Sequence, residues 1–342
     1  MRSIAMVLAG VALVTASCGR VPGTGATIET DYAKSLRVGL AYDIGGRGDQ
    51  SFNDAAADGL DEVRRSLGLL QIKEFEAQPG EPLSSKQQRL QTLAENGYSP
   101  VIAVGYAYSD AVRTVAPRYP HTKFAIIDDR AASGPNVANL LFAEEQGSFL
   151  VGAAAAMKSK TGDVGFVGGV QSPLIKKFEA GYRQGVKYMN PKAKVRVAYL
   201  TRPPDLTGFD NPAKARQAAK AMYDGGADVV YQAAGASGAG VFQAAKDAGR
   251  WAIGVDSDQA KTADPAVRDL ILTSMIKRVD VAVYDYIAAL MDGTVASGPS
   301  VYDLKLGGVD YSSTGGHIKD IQPKLEQLKQ EIIIGKIKVS PG

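Results

Sequence analysis

Cysteine is nearly absent from these 342 residues. The one present, Cys18, leaves no intramolecular disulfide possible. Histidine is almost as scarce. His121 and His317 lie far apart in the chain, which deprives a zinc site or a histidine-based triad of its parts. There is no run of basic residues, and a formal net charge of +3 is too small to act as the electrostatic footprint of a nucleic-acid binder. No GxxxxGK[ST] occurs, so a P-loop is excluded, and neither HExxH nor GxSxG is found. The glycine groups Gly165-Phe166-Val167-Gly168-Gly169 and Gly235 to Gly240 each follow an apolar run but lack the GxGxxG spacing of a dinucleotide turn. No short-period repeat appears, which argues against a solenoid.

What is present is ordinary globular composition, 45% hydrophobic and 22% charged, with 38 glycines for tight turns. Met1 to Ser17 reads as a leader: Arg2, an apolar run from Ile4 to Val14 too short for a permanent membrane span, then Thr15-Ala16-Ser17 before Cys18. Small residues directly before a lone cysteine look like a bacterial lipoprotein signal. Cys18 would then become the acylated first residue, carrying a palmitate-type chain, although Thr15 stands where leucine is commonest. The competing reading is a plain secretory leader with Cys18 incidental. Residues 18–35, rich in Gly, Pro and Thr, read as a flexible tether.

From Leu36 onward buried strands alternate with helices in two series of similar length. This predicts parallel sheets covered on both faces, in two α/β lobes with a cleft between them. The stretch from Val38 to Asp54, VGLAYDIGGRGDQSFND, is a strand, an acid at its end, a glycine-rich loop and a helix start. Ser51, with Asp54 three residues on, has capping-box spacing. Strand ends elsewhere also carry acids: Asp128 with Asp129, and Asp256 with Asp258. In open α/β sheets ligands bind beyond the carboxyl ends of the strands, although each acid alone could be a helix cap or turn former. Carboxylates accept hydrogen bonds and repel phosphate, so Asp43, Asp128 and Asp256 together favour a neutral ligand bearing hydroxyls or amines. Lys277, after the run LILTSMI, could balance one acid and donate to a hydroxyl, or could be a solvated lysine at a helix start. Phe52, Tyr106, Phe178 and Tyr182 recur near these positions, and two rings from opposite lobes could sandwich a planar ligand.

These pieces, with VGYAYSDAV, FAIIDD, GDVGFVGG, KKFEAGYRQGVK, FDNPAKARQAA, AAGASGAGVFQAAK, AIGVDSDQ and LTSMIKRVD, run in order from Val38 to about Asp280. Together they resemble the basic membrane protein family of ABC-importer substrate-binding lipoproteins, which includes purine-nucleoside receptors. The resemblance implies a type I periplasmic-binding-protein fold with three crossovers. It implies an N-terminal lobe of residues 36–142 plus about 273–297, and a C-terminal lobe of 143–272 plus about 298–342. It further implies a purine ring between Phe52 and Phe178, a base read by Asn53 and Asp128 with Asp43 nearby, and ribose hydroxyls held by Asp256 and Lys277. The expected protein is a monomer, not an enzyme, and takes no cofactor, metal or nucleic acid. It is lipid-anchored through Cys18 at the extracytoplasmic face of the cell membrane and partnered by ABC permease subunits. A sensor of the same fold for a sugar or autoinducer is the alternative. A nucleoside hydrolase would require a DxxxDxDD type of acid cluster, which the sequence lacks.

Overall fold

The computed structural model describes residues 36–69 and 71–342. The leader, Cys18 and the tether all lie outside them. In chain order the strands are β1 (Arg37–Ala41), β2 (Gln71–Phe75), β3 (Val101–Ala103), β4 (Phe124–Ile127), β5 (Val137–Phe142), β6 (Asp163–Val170), β7 (Lys194–Thr201), β8 (Val229–Ala233), β9 (Trp251–Asp256), β10 (Ile271–Lys277), β11 (Gly298–Tyr302) and β12 (Val309–Tyr311). The longer helices are α1 (Phe52–Leu67), α2 (Leu83–Glu95), α3 (Ser109–Val115), α4 (Glu144–Lys158), α5 (Pro173–Met189), α6 (Pro212–Asp224), α7 (Gly238–Ala248), α8 (Val279–Met291) and α9 (Gln322–Ile333). Among the described residues no helix is long and apolar enough to cross a membrane.

Two six-stranded sheets form, in the orders β11-β5-β4-β3-β1-β2 and β12-β10-β9-β8-β6-β7. All pairings in the first are parallel. In the second only β12 runs antiparallel, against β10. Apolar runs such as Phe124–Ile127 and Val137–Phe142 are buried along their whole length, as parallel strands covered by helices on both faces must be. This is the type I periplasmic-binding-protein fold, and it aims the carboxyl ends of both sheets at the cleft.

The chain leaves the first sheet after β5, returns after β10, and leaves again after β11. The boundaries expected near 273 and 298 are therefore displaced. β10 pairs with β9 in the second sheet, and β11 pairs with β5 in the first. Residues 279–302, including α8, return to the first lobe, and β10 stays with the second. An apolar run like LILTSMI satisfies either sheet equally well, so only the hydrogen-bonded neighbour decides its membership.

The alanine-rich α4 packs closely where it meets α5. A Cβ on Gly181 would lie 2.6 Å from Glu145 Cα, so the two backbones approach as only glycine permits. This contact brings the first turns of α5, with Phe178, against the start of α4. There Lys177 donates to Glu144 at 3.1 Å.

Candidate ligand-binding site

The loop between β1 and α1 is held by its own acids. Asp43 N–H donates to Asn53 Oδ1 at 2.9 Å, and Asn53 Nδ2 donates to Asp49 Oδ2 at 2.9 Å and to the Ile44 carbonyl at 3.3 Å. Asp49 accepts the backbone N–H groups of Ser51, Asn53 and Asp54 at 2.9, 2.9 and 3.1 Å. Asp54 in turn accepts from Gly48 and Gln50, at 2.7 and 2.9 Å. On the outside Arg47 ties the loop to Asp61 and Glu74. The capping box expected around Ser51 is thus corrected. The carboxylate two residues earlier takes the free N–H groups of the helix start, because it reaches three of them at once and carries the charge that the positive end of the helix favours.

Ser51 is spent elsewhere. Its hydroxyl donates to Asp256 Oδ2 in the opposite lobe at 2.7 Å. Two further bonds cross the cleft beside it: Ser257 Oγ to the Ser51 carbonyl at 3.2 Å, and Gln259 Nε2 to the Gln50 carbonyl at 3.0 Å. The lobes therefore stand closed on each other. Asp49→Ala is expected to cost about 1–2 kcal/mol of folding stability, as loss of a helix cap does. Urea unfolding checks this, and a loss under about 0.5 kcal/mol would place the cap on another residue.

Between the lobes lies a cavity of about 60 Å³, walled by residues of both. The seven residues that the resemblance assigns to the ligand line it, namely Asp43, Phe52, Asn53, Asp128, Phe178, Asp256 and Lys277, whereas Tyr182 is buried in the core away from it. Asn53 is there, but its amide is consumed by the loop, so its role at the site is to hold Asp43 and Asp49 in place. Asp128 and Asp256 have left-handed backbones, with φ of 64° and 63°. One such strained acid at a strand end in each lobe is the kind of feature that surroundings maintain at functional positions. Gly105, itself at φ 94°, gives the Asp43 carboxylate its space, since a Cβ there would collide with it.

Lys277 sits at the centre, with its side chain 1% exposed. It pairs with Asp128 and, at 3.3 Å, with Glu144. Its ammonium is 4.9 Å from the Phe52 ring centroid, 5.0 Å from Phe142 and 5.5 Å from Phe178. The acid it balances is Asp128, and Asp256 is a charged neighbour. Burial works against the ammonium, but Asp128, Glu144 and Asp256 outweigh it and the pKa is raised. Burial raises the carboxyls as well. Asp43 is pushed up to about 6 against the opposing bond from Ile44 N–H. Asp128 is raised although Lys277 pulls it down, and Asp256 rises for the same reason of burial.

One participant escaped the sequence reading. Glu144, 1% exposed, was visible only as the first acid of a helix following a buried strand. Its charge in an otherwise apolar stretch was the available signal. Tyr106 was noticed as an aromatic near the strand ends, and the structure places it on the cavity wall.

Known proteins resemble this chain along most of its length. A model of the family described as "ABC transporter substrate-binding protein PnrA-like" matches residues 37–341. The ABC transporter nucleoside-binding protein BmpA of Lactococcus lactis is 34% identical over 351 residues, covering 98% of this chain and 97% of that one. An uncharacterized lipoprotein of Pyrococcus horikoshii is 32% identical over 353 residues, covering 96% and 85%. A crystal structure of an ABC transporter solute-binding protein from Aeropyrum pernix K1 superposes with a TM-score of 0.78 at 30% identity, covering 90% of this chain and 94% of that one.

Proposed function

The chain belongs to the PnrA-like family of ABC transporter substrate-binding proteins, and from that premise we propose that its cavity takes a purine nucleoside and delivers it to the permease. The protein acts from a lipid-anchored position outside the cytoplasm, held through Cys18. The relative named as a lipoprotein supports the anchor, and the relative named as nucleoside-binding supports the ligand class.

The observation that carries the ligand reading is the charge arrangement of the cavity. Two phenylalanines from opposite lobes flank a site whose one lysine is already paired with Asp128 and Glu144, while Asp43 and Asp256 face the same space. Flat rings suit a base, and the acids suit ribose hydroxyls and ring N–H groups. A phosphate dianion would meet buried carboxylates, and among the described residues that line the cavity the one cation is already paired.

Titration calorimetry of the purified protein with adenosine, inosine, guanosine, ribose and the nucleoside monophosphates tests this. Nucleosides are expected to bind without turnover. The monophosphates should bind more weakly by about 100-fold or more, since like charges brought together cost several kcal/mol. Binding of ribose alone, or release of free base, would overturn the proposal.

A further inference from the structure

Carboxylates dominate the cavity, so the groups able to donate a hydrogen bond decide which acceptors a ligand can carry. Three lining side chains can donate: Asn53, Tyr106 and Lys277. Both Asn53 N–H groups are spent on Asp49 and Ile44. Lys277 donates to Asp128 and lies beside Glu144, which leaves it able to donate to a ligand hydroxyl as well. The Tyr106 hydroxyl is buried and has no hydrogen-bond partner. One acceptor shares that condition on the same wall: Asp128 Oδ1 is buried and unpartnered, while Oδ2 takes Lys277. A buried polar atom left unpaired is costly, and two around one cavity imply a ligand that satisfies both.

The positions of both groups follow from the fold. Tyr106 opens the turn Tyr106–Tyr108 just after β3, and Asp128 follows β4, the strand hydrogen-bonded to it. The two therefore lie on adjacent strand ends of the first lobe, and burial with the charges of Asp43 and Asp128 pushes the phenol up to about 12 despite the nearby Ser172 hydroxyl. At neutral pH it stays protonated and remains a donor. An open donor beside an open carboxylate oxygen complements a ligand edge with a carbonyl next to an N–H.

We propose that Tyr106 is a specificity-determining residue, donating to the 6-oxo group of a purine while Asp128 Oδ1 accepts from N1–H, so that the site selects 6-oxopurine nucleosides over 6-aminopurine ones. This rests on the nucleoside reading above. A 6-aminopurine presents an N1 lone pair to the carboxylate, so that contact becomes repulsive, and its amino group forces the phenol to act as acceptor between two other acceptor groups, Asp43 and Asp128.

The test compares wild type and Tyr106→Phe by calorimetry with inosine, adenosine and purine riboside, which lacks any 6-substituent. Wild type is expected to bind inosine at least about tenfold more tightly than adenosine, because a site built around hydrogen bonds rejects the analogue that cannot make them. The variant should lose about tenfold in inosine affinity while purine riboside changes by less than about twofold, the signature of one missing hydrogen bond. Thermal unfolding of the ligand-free variant should stay close to wild type, because the nearby polar group, the Ser172 hydroxyl, does not reach hydrogen-bond geometry with the phenol. Unchanged inosine affinity in the variant overturns the assignment, and so does equal weakening of all three ligands. Failure of wild type to bind any nucleoside would instead overturn the nucleoside reading, and this inference with it.

Discussion

Replacing Lys277 with methionine is expected to cost about 3–5 kcal/mol of folding stability at neutral pH, the penalty for removing one partner of a buried ion pair. The ammonium sits among Asp128, Glu144 and Asp256, and its side chain and those of Asp128 and Glu144 are almost wholly buried. Methionine keeps the volume and leaves Asp128 and Asp256 without their cation, while Glu144 retains Lys177. The pH dependence has a definite sign. Burial holds the Asp128 pKa above its ordinary value of 3.8, with Lys277 opposing. A carboxyl raised on folding contributes stability that is fully present below its unfolded pKa and is lost as pH rises through the folded one. Without Lys277 the folded pKa climbs further, so the variant loses most above neutral pH and approaches wild type as the acids protonate. Urea unfolding at about pH 5 and about pH 8 reads this directly. A loss of equal size at both values would mean that Lys277 does not hold these acids ionised.

Phe178→Ala should weaken nucleoside binding by about 1–3 kcal/mol, the worth of one base–aromatic stacking contact, or roughly 5- to 150-fold in Kd. Phe178 is 2% exposed and packs into the core at the same time. The alanine variant is therefore also expected to unfold about 3–5 kcal/mol more easily, as buried phenylalanines do when truncated. Phe178→Leu separates the two effects, because it keeps most of the buried volume and removes the π face. If leucine binds nucleosides as tightly as wild type, the ring does not stack on the base and serves the core alone.

The rhythm of buried strands and helices, and with it the two-lobed architecture, could be read from apolar runs such as Phe124–Ile127, because a strand buried on both faces has no other composition open to it. The helix stop at Gly68 was equally legible, since the left-handed φ of 73° there is cheap only for glycine. Exchange of β10 and β11 between the sheets was not legible, because strand pairing over long sequence separations leaves no local mark. Ser51 misled for a related reason. Its spacing to Asp54 satisfies a local rule, but Asp256, about two hundred residues away, offered its hydroxyl a charged partner.

By itself the sequence determined the chemistry available to the cleft: acids at the ends of strands, rings at two helix starts, and no histidine or cysteine to make another kind of site. These follow from residue type and from the periodicity of short segments, which act within a few positions of the chain. Only the tertiary structure decided how those groups are spent. It bound Asn53 into its own loop, gave Lys277 to Asp128 and Glu144, turned Ser51 across the cleft, and left the Tyr106 hydroxyl and Asp128 Oδ1 unpartnered at the cavity. A hydrogen bond is satisfied by whichever partner the fold brings within about 3 Å, and in a closed two-lobed protein many of those partners come from the far end of the chain.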